Sequence, residues 1–184
     1  QLALANQLLQ DEVAERLRAE QLVRQMSLTD ELTGLYNRRG FLLLAERELQ
    51  VARRRRGRSL LLYVDLDYLK LANDRFGHAA GDGMLVDAAD LLKSLFRTTD
   101  VVARIGGDEF VVLASHYSTS EEVLTRLDKA LQTFRQRTGR PLSLSVGTAE
   151  SSLQADQSLE QLLTQADAAM YANKCSRRSL QAVG

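Results

Sequence analysis

Two short apolar runs, Val101 to Ile105 and Phe110 to Ala114, flank the tetrad Gly106-Gly107-Asp108-Glu109. Paired glycines between β-branched runs signal a hairpin, because such turns need backbone angles that side chains resist. The hairpin lies inside an ordered alternation of elements. Upstream, Ser59 to Asp65 is an apolar run ending in a carboxylate, which reads as a buried strand. Gly81 to Phe96 then carries Leu85, Ala88, Ala89, Leu92, Leu95 and Phe96 at helical spacing. Downstream, Thr119 to Arg137 reads as a helix, Pro141 to Thr148 as a strand, and Ser158 to Lys174 as a helix. A last short strand is expected near Leu180 to Val183. The order β-α-β-β-α-β, then α, predicts an α+β, ferredoxin-like palm with a mostly antiparallel central sheet flanked by helices.

Ahead of this unit, residues 1–28 hold no Gly or Pro and are rich in strong helix formers. Leu9, Val13, Leu17, Leu22 and Met26 follow helical spacing, which predicts a helical stalk, of coiled-coil type or packed on its own domain. Asp30, Gly34 and Asn37 break that helix, so the division falls between a linker (1–28) and a second domain (29–184). Arg38 to Arg54 reads as a helix ending in the basic cluster Arg53-Arg54-Arg55-Arg56-Gly57-Arg58, whose charge suits a helix C-terminus. The chain opens on Gln1 without a signal-peptide pattern, so it is expected to be part of a longer protein.

Charge and cysteine content narrow the function. Lys and Arg number 24, as do Asp and Glu, which argues against a nucleic-acid binder built on a basic excess. One cysteine, Cys175, and two histidines leave no basis for a disulfide framework or a Cys/His zinc site. No apolar run approaches the roughly 20 residues that span a bilayer. The domain is expected in the cytoplasm, with a membrane anchor elsewhere in the parent left open.

In the expected topology the third strand lies antiparallel beside the first. The end of the first (Asp65, Asp67) then adjoins the start of the third (Asp108, Glu109). Acidic groups brought together this way repel unless a cation sits among them. A hard divalent ion, Mg²⁺ or Mn²⁺, bound by oxygens and by substrate phosphates fits that need. Lys70 lies in the loop leaving the first strand, and Lys174 and Arg178 share a face of the last helix. Asn73 and Asp82 suit the edge of a guanine. Taken singly, a Gly-Gly turn or an Asp-x-Asp has an ordinary structural reading.

Together the residues resemble the diguanylate cyclase family, named for the motif that stands here as Gly106-Gly107-Asp108-Glu109-Phe110. The likeness extends to Asp30-Glu31-Leu32-Thr33-Gly34-Leu35-Tyr36-Asn37-Arg38-Arg39, and to Asp65-Leu66-Asp67-Tyr68-Leu69-Lys70 with Asn73-Asp74. Gly77-His78-Ala79-Ala80-Gly81-Asp82, Leu144-Ser145-Val146-Gly147 and Ala166-Asp167-Ala168-Ala169-Met170-Tyr171 continue it in order. Departures are Leu69 for the usual Phe, Asn173 for Ala, and Arg177 for the Gly before Arg178.

The resemblance implies a homodimeric enzyme that condenses two GTP into cyclic di-GMP and two pyrophosphates. It implies metal ligation by Asp65, the Leu66 carbonyl, Asp108 and Glu109, with Asp108, Glu109 and Lys70 in the catalytic set. Asn73 and Asp82 would read guanine, and Lys70, Lys174, Arg178 and the Gly106-Gly107 turn would hold phosphates. Arg97-Thr98-Thr99-Asp100 matches the family's product-inhibition motif, in which Arg97 and Asp100 would clamp cyclic di-GMP. Two other readings stay open: a domain that senses nucleotide without turnover, and a palm acting on another nucleotide.

Overall fold

The computed structural model describes residues 12, 27–115, 117, 119–151 and 157–181, with the side chains of 177–181 outside that description. The apolar stripe of the stalk falls outside the described residues. The elements run α1 (Arg38–Arg54), β1 (Ser59–Leu66), α2 (Leu69–Phe76), α3 (His78–Leu95), β2 (Val101–Arg104), β3 (Glu109–Ser115), α4 (Ser120–Thr138), β4 (Leu144–Glu150) and α5 (Leu159–Gln181). The sheet order is β2-β3-β1-β4, and every neighbouring pair is antiparallel. This is the expected α+β palm.

β1 is central and buried on both faces, so it reads as a continuous apolar run rather than an alternation. Leu60, Leu62, Val64 and Leu66 pack with Leu85, Leu92, Leu127 and Leu131 of α3 and α4. Leu61 and its β3 neighbours Val111 and Leu113 pack with Phe41, Ala45, Leu162 and Ala166 of α1 and α5. Two apolar cores thus clamp one sheet.

Local chemistry sets the helix ends. The Asn37 side chain caps α1 by accepting from the Gly40 amide, and Thr119 caps α4 by accepting from Glu122. Gly139, at a φ of 68°, closes α4 in the left-handed conformation glycine favours. At Gly147 the α5 backbone lies directly on β4: a Cβ there would stand 2.1 Å from both the Ala166 carbonyl oxygen and the Met170 nitrogen. That close approach fixes where α5 delivers Lys174.

Beyond shifts of a residue or two at strand and helix ends, the structure differs from expectation around the site and at the C-terminal helix. Lys70 lies not in a loop but in the first turn of α2, a helix the sequence reading does not foresee. α2 fully buries none of its residues and starts at Tyr68 without a side-chain cap, and its eight residues are too few for a helical period to stand out. α3 begins at His78 rather than Gly81, again uncapped. β4 begins at Leu144, where its pairing with β1 ends, although the Ser143 carbonyl still accepts from the Asp67 amide at 3.0 Å. α5 continues through Gln181, so Leu180 extends a helix instead of opening a strand, while 182–184 lie outside the described residues.

Candidate active site

Strand register brings the acidic residues together. Asp65 pairs with Glu109 across β1 and β3, and the Leu66 amide donates to the Asp108 carbonyl at 2.8 Å. The two strand ends are therefore stitched at the point where the acidic residues meet. Asp65 is 6% exposed, and Lys174 of α5 donates to its Oδ1 at 2.6 Å. Burial pushes the Asp65 carboxyl above its ordinary range. The Lys174 hydrogen bond opposes that rise, and the charges of Asp108 and Asp67 reinforce it.

Glu109 is held from two sides. The Tyr63 hydroxyl donates to its Oε1 at 3.1 Å. Its Oε2 fills the space beside Gly106, where a Cβ would come within 2.4 Å. Gly106 thus makes room for the carboxylate as well as for the turn. Burial and then the Glu109 charge raise the Tyr63 hydroxyl far above its ordinary value, so it stays a protonated donor.

The turn is braced from a distance. Arg104 donates to the Gly107 carbonyl through Nε at 3.2 Å and Nη2 at 2.8 Å. Its Nη1 pairs with Asp30 at 3.2 Å, and the Asp30 carboxylate also accepts from the Thr33 amide and hydroxyl at 2.9 and 2.7 Å. Asp67 turns the other way, toward β4: Ser143 and Ser145 each donate a hydroxyl to it at 2.7 Å. It ties β1 to β4.

α2 and α3 form a helical hairpin after Gly77, whose φ is 84°. Asn73 is half-buried there, and its Oδ1 is buried without a hydrogen-bond partner. That oxygen lies where a Cβ on Gly81 would come within 2.0 Å, next to Asp82. An orphaned amide oxygen in a native fold calls for a ligand or an ordered water. Lys70 and Asp82 are exposed on the same hairpin.

Arg97 and Asp100 lie elsewhere. The Asp100 carboxylate accepts from the Arg97 amide at 2.9 Å and from the Ser115 amide at 3.1 Å, which closes a tight turn beside the far end of β3. Glu109 and Ser115 are the two ends of that strand, about 20 Å apart at roughly 3.4 Å per residue. The Arg97 side chain is exposed. Arg178 belongs to α5, but its side chain lies outside the described residues.

Sequence reasoning misses Tyr63, hidden in an apolar run, and the long-range supports Arg104–Asp30 and Asp67–Ser143/Ser145. Only the assembled fold exposes them. The donor set suits a hard cation in part. Among the described residues no three acidic, His or Cys groups form a metal cluster by themselves. A pair of carboxylates with a backbone carbonyl fits an ion such as Mg²⁺, which completes its shell with water and substrate phosphate. Among the described residues no helix is long and apolar enough to cross a membrane.

Residues 27–180 match the model of the diguanylate cyclase GGDEF domain. The chain is 40% identical over 162 residues to diguanylate cyclase DgcP of Pseudomonas aeruginosa, covering 84% of this chain and 24% of that protein. It is 36% identical over 160 residues to DgcS of Shewanella oneidensis, covering 86% and 53%. It thus spans only a quarter to a half of these relatives. The coiled coil and GGDEF domain of DgcB from Caulobacter crescentus, crystallised with c-di-GMP, superposes with a TM-score of 0.73 at 26% identity, covering 96% of each chain.

Proposed function

Because the chain belongs to the diguanylate cyclase GGDEF family, we propose that it condenses two GTP into cyclic di-GMP and two pyrophosphates. The observation that carries this reading is the stitched meeting of β1 and β3, where Asp65, Asp108 and Glu109 share one strand end under Lys174. Each protomer of a homodimer would hold one GTP, and each 3′-hydroxyl would attack the α-phosphorus of the other nucleotide. Two P–O bonds form and two pyrophosphates leave.

Position supports a role for each residue. Asp65, Asp108, the Leu66 carbonyl and Glu109 would hold Mg²⁺ or Mn²⁺, which neutralises charge developing on the phosphates. Asn73, with its orphaned oxygen, and exposed Asp82 would read the guanine edge. Lys70 from α2, Lys174 and Arg178 from α5, and the amides of Gly106 and Gly107 would take the phosphates. The stalk would set how two domains face each other. Residues 1–28 would form it, with 29–184 as the catalytic domain, in the cytoplasm.

Incubation of concentrated protein with GTP and Mg²⁺, beside an ATP control, tests this by mass spectrometry of the products. Cyclic di-GMP formed from GTP alone is the expected result. GTP bound but unconverted would leave a nucleotide sensor, and conversion of ATP would point to another cyclase chemistry.

Cyclic di-GMP is also assigned to Arg97 and Asp100 as a second, inhibitory site. The exposed Arg97 guanidinium and its separation from Glu109 by the length of β3 support that reading. Replacing Arg97 with Ala should raise the product concentration that halves turnover by about tenfold, the scale of one charge-assisted contact. An unchanged inhibition curve would remove the assignment.

A further inference from the structure

A groove of about 740 Å³ opens between α2, α3 and the 140–143 segment, outside the residues assigned to GTP. None of Asp65, Lys70, Asn73, Asp82, Asp108 or Glu109 lines it. We propose that this groove binds a small anionic amphiphile, a flat apolar body carrying one acidic head.

The walls supply the apolar part. Tyr68, Leu71 and Phe76 line the groove and are 51%, 60% and 69% exposed, an unusual density of exposed apolar side chains on one short segment. Tyr68 holds its ring there from a left-handed backbone at a φ of 65°, a conformation uncommon for a bulky residue. The groove also depends on Gly83. A glycine inside a helix is unfavourable relative to alanine, and crowding does not require this one, since a Cβ on it would meet nothing within 4 Å. Gly81 on the same helix is the contrast, because a Cβ there would strike Asn73. Gly83 keeps an opening that any side chain would narrow.

The charges favour an anion. Three guanidiniums (Arg75, Arg135 and Arg140) face two carboxylates (Asp67 and Asp87) around the groove, in a chain that is neutral as a whole. Both carboxylates are engaged: Asp67 accepts from Ser143 and Ser145, and Asp87 pairs with Arg140 at 2.7 Å. Arg135 donates to the Leu142 carbonyl. Arg75 lies over the Phe76 ring at 5.4 Å and has no carboxylate partner among the described residues. An exposed guanidinium on an aromatic ring at the lip of an apolar groove matches a flat apolar molecule with one acid group. The groove also includes Asp67 and Tyr68, which join β1 to α2, so an occupant would press on the segment that carries Lys70 and Asn73.

The test titrates the folded full chain with 8-anilinonaphthalene-1-sulfonate and follows fluorescence. Saturable binding at one site is expected. Gly83→Leu should abolish the saturable signal while circular dichroism stays native. Arg75→Glu, on the exposed surface, should weaken binding by about fivefold, the scale of one exposed charge contact. Naphthalene-1-sulfonate should displace the probe, and 1-naphthylmethylammonium, with the same body and the opposite charge, should not. Unsaturable fluorescence, or a titration that neither variant changes, would overturn the site. Equal displacement by the cation would overturn its preference for anions.

Discussion

The two faces of β1 solve opposite problems with alternate residues of one strand. On the α3/α4 face, Leu60, Leu62, Val64 and Leu66 are apolar from end to end and almost wholly buried. On the α1/α5 face the same strand passes from Leu61 to Tyr63 to Asp65, so polarity rises toward its C-terminal end. There Tyr63 meets Glu109, and Asp65 meets Lys174. One face anchors the strand so that the other can hold a carboxylate at 6% exposure. Burying that charge is unfavourable unless it is paired and hydrogen-bonded, and the intact apolar face keeps the partners in register.

Substitutions on the two faces should therefore fail in different ways. The largest effect expected is on turnover, from Asp108→Asn at the polar end. Removing one preorganised electrostatic group typically lowers the rate by about 10²–10³-fold. The fold should persist, since Asp108 is tied to Leu66 through its backbone carbonyl. Steady-state cyclic di-GMP production beside a thermal melt checks both halves, and turnover within twofold of the parent would take Asp108 out of the chemistry.

Leu62→Ala tests the opposite face. Leu62 is fully buried in the α3/α4 core, and such a truncation costs about 2–5 kcal/mol through lost transfer energy and a residual cavity. In a domain of this size that lowers the melting temperature by roughly 5–15 °C. Turnover per folded molecule, measured well below the melt, should stay near the parent value. A lost rate at full folding would show that the two faces are not separable.

Much of this division is legible in the order of residues along the chain. The βαββαβ order leaves one natural place for the third strand, so the meeting of Asp65 with Asp108 and Glu109 follows from chain order and antiparallel pairing. The elements that escape such reasoning lack a local signal. α2 is short, has no fully buried residue and no side-chain cap, so Lys70 passes for a loop residue. Tyr63 passes for one more apolar residue of a strand, because its hydroxyl acquires meaning only when β3 sets Glu109 beside it. Ser143 and Ser145 look like ordinary strand serines until the assembled sheet places both on Asp67. Local pattern reveals elements, whereas contacts between distant residues need the assembled sheet.

Tyr63→Phe sharpens the comparison within the polar face itself. It keeps the ring and removes only the hydroxyl that holds Glu109 at 3.1 Å. A hydrogen bond to a charged group contributes about 1.5–3 kcal/mol, so turnover should drop by about 10- to 100-fold if the bond positions Glu109. The Mg²⁺ concentration for half-maximal rate should rise with it, a change that a merely structural tyrosine would not produce. Melting should fall by several degrees as well, since the same bond contributes to stability. An unshifted metal requirement would leave Tyr63 as packing.

The smallest effect belongs to the support farthest from the reacting end, the Asp30–Arg104 pair behind the signature turn. Burial acts to raise the Asp30 carboxyl, but the Thr33 hydroxyl and amide and the Arg104 guanidinium outweigh it and hold it below 3.8. A carboxyl lowered in the folded state adds stability above its unfolded value and loses it as pH falls through the folded one. Asp30→Asn should therefore be less stable than the parent near neutral pH, by about 1 kcal/mol for an ion pair whose side chains are 24% and 15% exposed. The gap should close as pH drops below 3.8. Urea midpoints of both proteins across that range isolate the effect, because every other carboxylate titrates alike in the two. A gap independent of pH would mean that Asp30 acts through the geometry of its turn and not through its charge, and Arg104 would then hold the Gly107 carbonyl without help from that pair.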